Sequence, residues 1–196
     1  KHIANSGAIL NLPEFSMDIV RAGILIYGLS PDSTIKGAKH LADLGFAPAM
    51  SIVSRVAQIK EIPKGESVGY SRGFFTSRNS TTVATIPMGY ADGISREMGN
   101  RGKVLINGHF ADIIGNVCMD NLMVDASFIP KIALGDEVVF CGISGENRIL
   151  AEEMASWENT INYETVTSLS KRVERIYVDN PKHSINSNQM NRLGFS

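Results

Sequence analysis

From Pro48 onward the chain reads as short β-rich runs cut by turn signals, and this punctuation limits what it can fold into more than any other feature. Residues 49–62 end at Pro63-Lys64-Gly65, residues 81–86 end at Pro87, and residues 104–106 run through Asn107-Gly108 into residues 110–114. Asn-Gly is the strongest short hairpin signal, because a tight two-residue turn needs positive φ at both positions. Leu134-Gly135-Asp136 then leads into a strand at 137–141, and residues 172–178 read as a closing strand. Between them, residues 150–157 have helical character, with Glu152 and Glu153 expected on the exposed side. The expectation is a mainly β domain with small helices.

Residues 1 to about 45 differ. Residues 2–8 end in small polar residues that suit a strand-to-helix turn, and residues 17–21 read as a second short strand running into Ala22-Gly23-Ile24. These are βα-type connections. The sequence therefore divides into residues 1–45, residues 46–178 and a polar, Asn- and Ser-rich tail at 179–196 that is expected to be weakly ordered or to pack late on the surface.

Composition excludes several classes. Nineteen Lys and Arg against twenty Asp and Glu leave a net charge of −1, so no basic surplus recommends nucleic acid or an anionic membrane as partner. The longest apolar stretch, residues 22–29, is broken by Gly23 and Gly28 and is too short to span a bilayer. Cys118 and Cys141 stand far apart without metal-ligand spacing, which suits a reducing cytoplasm better than a disulfide framework or a metal site. Lys1 opens neither with an initiator Met nor with a basic-then-apolar leader, so no export signal and a cut N-terminus are expected.

Four blocks recur in a known order: Val68-Gly69-Tyr70-Ser71, IPMGYADG at 86–93, VCMD at 117–120 and INYE at 161–164. With HIANS at 2–6 and RAGILIYG at 21–28, they stand at near the spacing found in alanine racemases. Over residues 1–178 the chain resembles the C-terminal half of such an enzyme. The segment of the type VVKANAYGHG, which carries the cofactor-binding lysine in that family, has no counterpart here. The resemblance implies the last strands and helices of a (β/α)8 barrel at 1–45, followed by a β-barrel-like C-terminal domain. It also implies pyridoxal phosphate as cofactor and interconversion of L- and D-alanine for bacterial cell-wall peptidoglycan by a cytoplasmic head-to-tail homodimer. Without the lysine, the chain alone is expected to be inactive.

The resemblance assigns roles to particular residues. The loops at Asn5-Ser6 and at Arg21 to Ile24 would lie at the barrel rim, where phosphate is commonly held, with the Ser6 hydroxyl and the Gly23 and Ile24 N–H groups as donors. Helix capping by Asn5-Ser6 and an eased turn at Gly23 are the structural alternatives. Arg21 would face the pyridine nitrogen; a guanidinium keeps its charge and its proton, so it leaves that nitrogen unprotonated and weakens the electron sink, which favours racemisation over transamination. Its near-continuous apolar flank argues against exposure.

Tyr70 is expected to transfer the proton on one face of the substrate, the missing lysine serving the other. A phenol holds its proton near neutrality unless neighbouring positive charge assists, and Arg21 is one candidate for that help. The Met119 backbone N–H would receive the substrate carboxylate across the dimer interface, with Asp120 orienting its loop. Tyr163 would contact the cofactor phosphate and narrow the entrance, favouring alanine; Tyr90, Arg96 and Ile161 would line the access corridor, and Asp92 would be structural. Two positions depart from the family pattern: Asn116 stands where arginine is common, and Ser71 where glycine is. Two rivals are a fold-related pyridoxal-phosphate decarboxylase, whose glycine-rich and acidic-cysteine motifs are absent, and a non-catalytic β module for binding or dimerisation.

Overall fold

Asn107 and Gly108 form the tight turn that their sequence demands, with φ of 50° and 78°, and around it the antiparallel sheet is built. The structure, a computed structural model, describes residues 1–178. The strands are β1 (Ile52–Arg55), β2 (Gln58–Pro63), β3 (Ser67–Val68), β4 (Phe74–Phe75), β5 (Ser80–Ile86), β6 (Lys103–Ile106), β7 (His109–Ile114), β8 (Leu122–Asp125), β9 (Glu137–Ser144) and β10 (Asn147–Ile149). The helices are α1 (Ser6–Asn11), α2 (Ile35–Asp43), α3 (Ala151–Glu158) and α4 (Asn162–Ser168). Short 3-10 turns occupy Pro13–Phe15, Ile24–Tyr27, Tyr70–Arg72 and Arg96–Met98.

The main sheet runs β1-β9-β6-β7-β8-β5-β2, with β10 added on β9, and every pairing in it is antiparallel. β1 and β2 occupy opposite ends of that path yet are joined by two residues, Val56 and Ala57, so the sheet is curled. The separate pair β3-β4 carries the turn that holds Tyr70.

The core fills the inside of the curl with Ile86, Val104, Ile106, Ile113, Leu122, Val124 and Phe140, and Met154 of α3 closes it. β6 is buried on both faces, because Leu105 packs on the other side with Val139, Ile149 and Trp157. That is why Val104-Leu105-Ile106 reads as a continuous apolar run and not as an alternation. α2 starts at Thr34, whose hydroxyl accepts the Gly37 N–H at 2.9 Å, and α3 ends at Asn159 in the left-handed conformation.

Four expectations are corrected. Residues 17–21 form no strand; a single parallel bridge between Asn5 and Arg21 is all that remains, with Met17 held at a φ of 46°. Residues 172–178 form no strand either: the Arg175 guanidinium turns back onto the carbonyl oxygens of Leu169 (3.0 Å), Ser170 (3.3 Å) and Val173 (3.2 Å), which an extended run would not permit. Residues 49–62 are two strands, β1 and β2. Glu152 is only 2% exposed, because the N-terminal segment docks over it. The expected tail at 179–196 lies outside the described residues.

Phe140 is fully buried at the centre of β9. Phe140→Ala is expected to lower the unfolding free energy by about 3–5 kcal/mol, read as a lower midpoint in urea with an unchanged denaturant slope.

Candidate active site

The N-terminal segment brings its two predicted loops together. Asn5 caps α1, its Oδ1 accepting the Ala8 N–H at 3.0 Å, so the structural alternative holds for that residue. Ser6 is buried, and its Oγ accepts the Gly23 N–H at 2.9 Å and the Leu25 N–H at 3.4 Å. The Gly23 N–H, expected to be an outward donor, is therefore already engaged. Two accepted bonds use both Oγ lone pairs and leave the Ser6 O–H free to donate. The Ile24 N–H takes no partner among the described residues. The donors left without a partner among the described residues are thus the Ser6 O–H and the Ile24 N–H.

Arg21 lies alongside, its N–H donating to the Ala4 oxygen at 2.8 Å and its Nη2 to the Ile3 oxygen at 3.2 Å. Contrary to the expectation from its apolar flank, Arg21 is exposed, because Ile19 and Val20 are themselves exposed and cover nothing.

α4 places Tyr163. Asn162, with no exposure at all, donates to the Ser30 oxygen at 2.8 Å and to Glu152 Oε1 at 2.9 Å, and accepts from Ser33 Oγ at 2.8 Å. Glu152 Oε1 also accepts the Ser30 N–H at 3.2 Å. This buried network fastens residues 30–33 to α3 and α4. It sets the half-exposed Tyr163 beside Pro31, whose oxygen its hydroxyl reaches at 3.4 Å. Ile161, just before α4, is exposed.

A second group gathers in the β domain. Tyr70, Tyr90, Arg96, Met119 and Asp120 line one open groove of about 560 Å³, together with Asn116, Val117, Cys118 and Asn121. Tyr70 is 75% exposed. Its backbone oxygen accepts from Asn116 Nδ2 at 2.8 Å. The loop at 117–120 is clamped onto the loop at 87–93: the Tyr90 N–H donates to the Cys118 oxygen at 3.0 Å and the Ala91 N–H to the Met119 oxygen at 2.9 Å. Glycine at 89 is required there, since a Cβ would stand 2.4 Å from the Cys118 oxygen. The Cys118 N–H is taken by the Asn121 oxygen at 2.9 Å, and the Met119 N–H has no partner among the described residues.

Asp92 is structural: its Oδ2 accepts the Gly89 N–H at 2.9 Å. Arg172 reaches both Asp92 (3.4 Å) and Asp120 (2.7 Å), so it fixes the orientation of the 117–120 loop. Sequence reasoning missed Arg172, since nothing in its neighbourhood marks a partner more than fifty residues away.

Arg96 begins a turn capped by Ser95, whose Oγ accepts the Glu97 N–H at 3.2 Å. Beneath it a smaller cavity of about 280 Å³ is lined by Tyr90, Ser95, Glu158, Glu164 and Thr165 among others. Glu158 is buried there, accepting from Thr165 Oγ1 at 2.6 Å and from the Ser95 N–H at 3.5 Å. Burial pushes its carboxyl above the ordinary value, against the pull of Thr165. Burial likewise pushes the Cys141 thiol up to about 12, which makes it an inert core residue. No group of three His, Cys, Asp or Glu suited to a metal occurs among the described residues, and no described helix is long and apolar enough to cross a membrane.

No hydrogen bond among the described residues runs from Ser6 or Arg21 to the residues that line the Tyr70 groove, whereas the end of α4, which carries Tyr163, is tied to the 87–93 loop by Ser168 Oγ donating to the Gly93 oxygen at 3.0 Å. The class these features define is a curled β domain that carries an exposed tyrosine over a polar groove, fastened behind the donor loops of a βα segment. The family model described as alanine racemase, C-terminal domain, matches residues 49–177, and the one described as alanine racemase, N-terminal domain, matches residues 1–31. The chain belongs to the alanine racemase family. It is 46% identical over 178 residues to the alanine racemase of Carboxydothermus hydrogenoformans, covering 91% of this chain and 47% of that protein. Among solved structures it resembles the alanine racemase of Bacillus anthracis with bound L-Ala-P, at a TM-score of 0.80 and 36% identity, covering 92% of this chain and 45% of that one. The Bartonella henselae alanine racemase with covalently bound pyridoxal phosphate follows at a TM-score of 0.78 and 36% identity, covering 90% and 46%. The chain spans about half the length of the curated relatives it matches.

Because Glu158 binds its proton more tightly folded than unfolded, between the ordinary carboxyl value of 4.5 and its raised folded value the native state holds the extra proton. The contribution of this carboxyl to stability then falls as pH rises through that window and is constant above it. Glu158→Gln is expected to remove this part of the pH dependence, checked by urea unfolding at a series of pH values.

Proposed function

We propose that this chain supplies the C-terminal half of a pyridoxal-phosphate-dependent alanine racemase, joined in the working enzyme to a lysine-bearing N-terminal portion. The observation that carries this reading is the one groove lined by both Tyr70 and Met119, whose N–H has no partner among the described residues. It occurs in a chain that covers 92% of its length on a racemase with L-Ala-P bound.

The residues present fit the cofactor. The Ser6 O–H and the Ile24 N–H are neutral donors available to a phosphate group, and Arg21 stands beside them as an exposed, permanent cation for the ring nitrogen. The chemistry that pyridoxal phosphate supplies when bound is electron withdrawal from the α-carbon of an amino acid. Tyr70 moves the proton at its hydroxyl on one face of that carbon, and the Met119 N–H orients the carboxylate. Asp120, held by Arg172, keeps the Met119 loop in place. Tyr163 narrows the entrance in favour of a small side chain such as that of alanine, and Tyr90, Arg96 and Ile161 line the approach.

The absence, among the described residues, of any hydrogen bond between the Ser6 and Arg21 loops and the Tyr70 groove fits a homodimer. The donor loops of one subunit meet the Tyr70 groove of its partner, so that each site is complete only in the assembly. The product D-alanine would serve cell-wall peptidoglycan in the cytoplasm of a bacterium.

In the polypeptide that joins this chain to its lysine-bearing portion, Tyr70→Phe is expected to lower kcat for alanine racemisation by about 10²–10⁴-fold, the usual worth of a positioned proton-transfer group. A polarimetric or coupled assay reads it. Activity within threefold of the unsubstituted protein would remove Tyr70 from the mechanism.

A further inference from the structure

Ser71 and Arg72 both adopt the left-handed conformation, with φ of 58° and 53°. Non-glycine residues hold that conformation only where surrounding structure enforces it. The sheet does not enforce it: β3 and β4 are two residues each and pair only with one another. Such a ribbon is marginal by itself. Its base is anchored by Val68 and Phe74 against Val83, Ile114 and Met123, and no residue of the tip at 70–73 belongs to that cluster. The Tyr70 side chain makes no hydrogen bond among the described residues. Whatever fixes its place must act through the backbone.

Two asparagines do so. Asn116 Nδ2 donates to the Tyr70 oxygen at 2.8 Å, and Asn100 Nδ2 donates to the Gly73 oxygen at 3.0 Å. Asn100 Oδ1 in turn accepts the Gly115 N–H at 2.7 Å, one residue before Asn116. The tip also lies directly on Asn116, since a Cβ at residue 73 would stand 3.1 Å from its Nδ2. The chain at 115–116 therefore grips the Tyr70 carbonyl directly and the Gly73 carbonyl through Asn100, and it runs straight on into Val117 and Met119.

We infer that Asn116, seconded by Asn100, is a positioning residue that locks the Tyr70 turn to the 115–119 loop, so that the tyrosine hydroxyl and the Met119 N–H are held as one rigid pair. The inference rests on the reading of Tyr70 as the proton-transfer residue. Asn116, one of the two positions at which the sequence departs from the family pattern, thereby acquires a task. The distance between proton donor and carboxylate anchor is set by a side-chain amide and not by the sheet. A displacement of about 1 Å at a reacting group costs on the order of a hundredfold in rate, so a short tie of this kind bears directly on turnover.

The experiment compares Asn116→Asp, which keeps the shape but loses the donor, with Asn116→Ala, Asn100→Ala and the control Asn147→Ala. Asn147 donates to the Gly108 oxygen in the distant β6-β7 turn. In the chain itself, amide hydrogen exchange over residues 69–74 is expected to quicken about fivefold in the two Asn116 variants, the loss of one ordinary hydrogen bond, and by at least as much in Asn100→Ala, which loses two, with β5 and the control unchanged. In the polypeptide joined to its lysine-bearing portion, kcat is expected to fall at least tenfold while KM for alanine stays within twofold. The primary isotope effect with α-deuterated alanine should rise in one direction only, because Tyr70 serves one face. A purely structural role would not produce that asymmetry. Unchanged exchange at 69–74, or quickened exchange with unchanged kcat, overturns the inference. If the unsubstituted joined polypeptide does not racemise alanine, it is the functional reading that falls, and the inference about turnover with it.

Discussion

Val56 and Ala57 connect strands that lie at opposite ends of the sheet. At about 4.8 Å between neighbours, a flat sheet of seven strands would hold its edges about 29 Å apart. Two residues between strand ends reach roughly 11 Å at most. The sheet must roll until its edges nearly meet, and the link records the meeting: the Val56 N–H donates to the Asp136 oxygen at 2.9 Å and the Ala57 N–H to the Thr85 oxygen at 2.9 Å. The apolar inside of the roll becomes the core. The loops that leave β5 and β7 and the ribbon that follows β2 are brought against one another, and the groove is the space they leave.

The polar groups of those loops show which atoms folding uses and which it leaves free. A buried or half-buried backbone group is normally paired, because leaving it unpaired costs as much as a lost hydrogen bond. Around the groove most are: the Gly89 N–H by Asp92, the Gly115 N–H by Asn100, the Cys118 N–H by Asn121 and the Tyr70 oxygen by Asn116. Against that background the Met119 N–H and the Tyr70 hydroxyl stand without a partner among the described residues, on two exposed residues of the groove. The N-terminal segment repeats the pattern, spending the Gly23 and Leu25 N–H groups on Ser6 and leaving the Ser6 proton and the Ile24 N–H free.

What the sequence made legible was local. Asn107-Gly108 and the alternating or continuous apolar runs mark strands because backbone conformation and burial act over a few residues, and β5, β6, β7 and β9 lie where those runs are, while β8 (Leu122–Asp125) went unread. The short motifs mark Tyr70, Tyr90 and Met119, which the structure brings to one groove. What stayed hidden depends on partners distant in the chain. Glu152 looks like a solvent-facing helix residue until Ser30 and Asn162 arrive to bond it. The 172–178 run has the composition of a strand, but Arg172 and Arg175 are drawn instead to Asp92, Asp120 and the end of α4. Arg21 has an apolar flank without a neighbour to bury it.

The shape of the Tyr70 turn bears on whether this β domain is catalytic or merely adhesive. A surface that only binds needs an exposed aromatic side chain, and an unstrained hairpin would supply one. Here Ser71 and Arg72 are both left-handed, at an expense of order 1–3 kcal/mol for each such residue, and two side-chain amides are committed to keeping them so. Strain held in this way fixes a position more narrowly than adhesion requires. A proton that must move between two atoms about 3 Å apart does require it. One phenol that lines the same groove as one N–H without a partner among the described residues is the arrangement that the proposed proton transfer on a carboxylate-bearing substrate calls for.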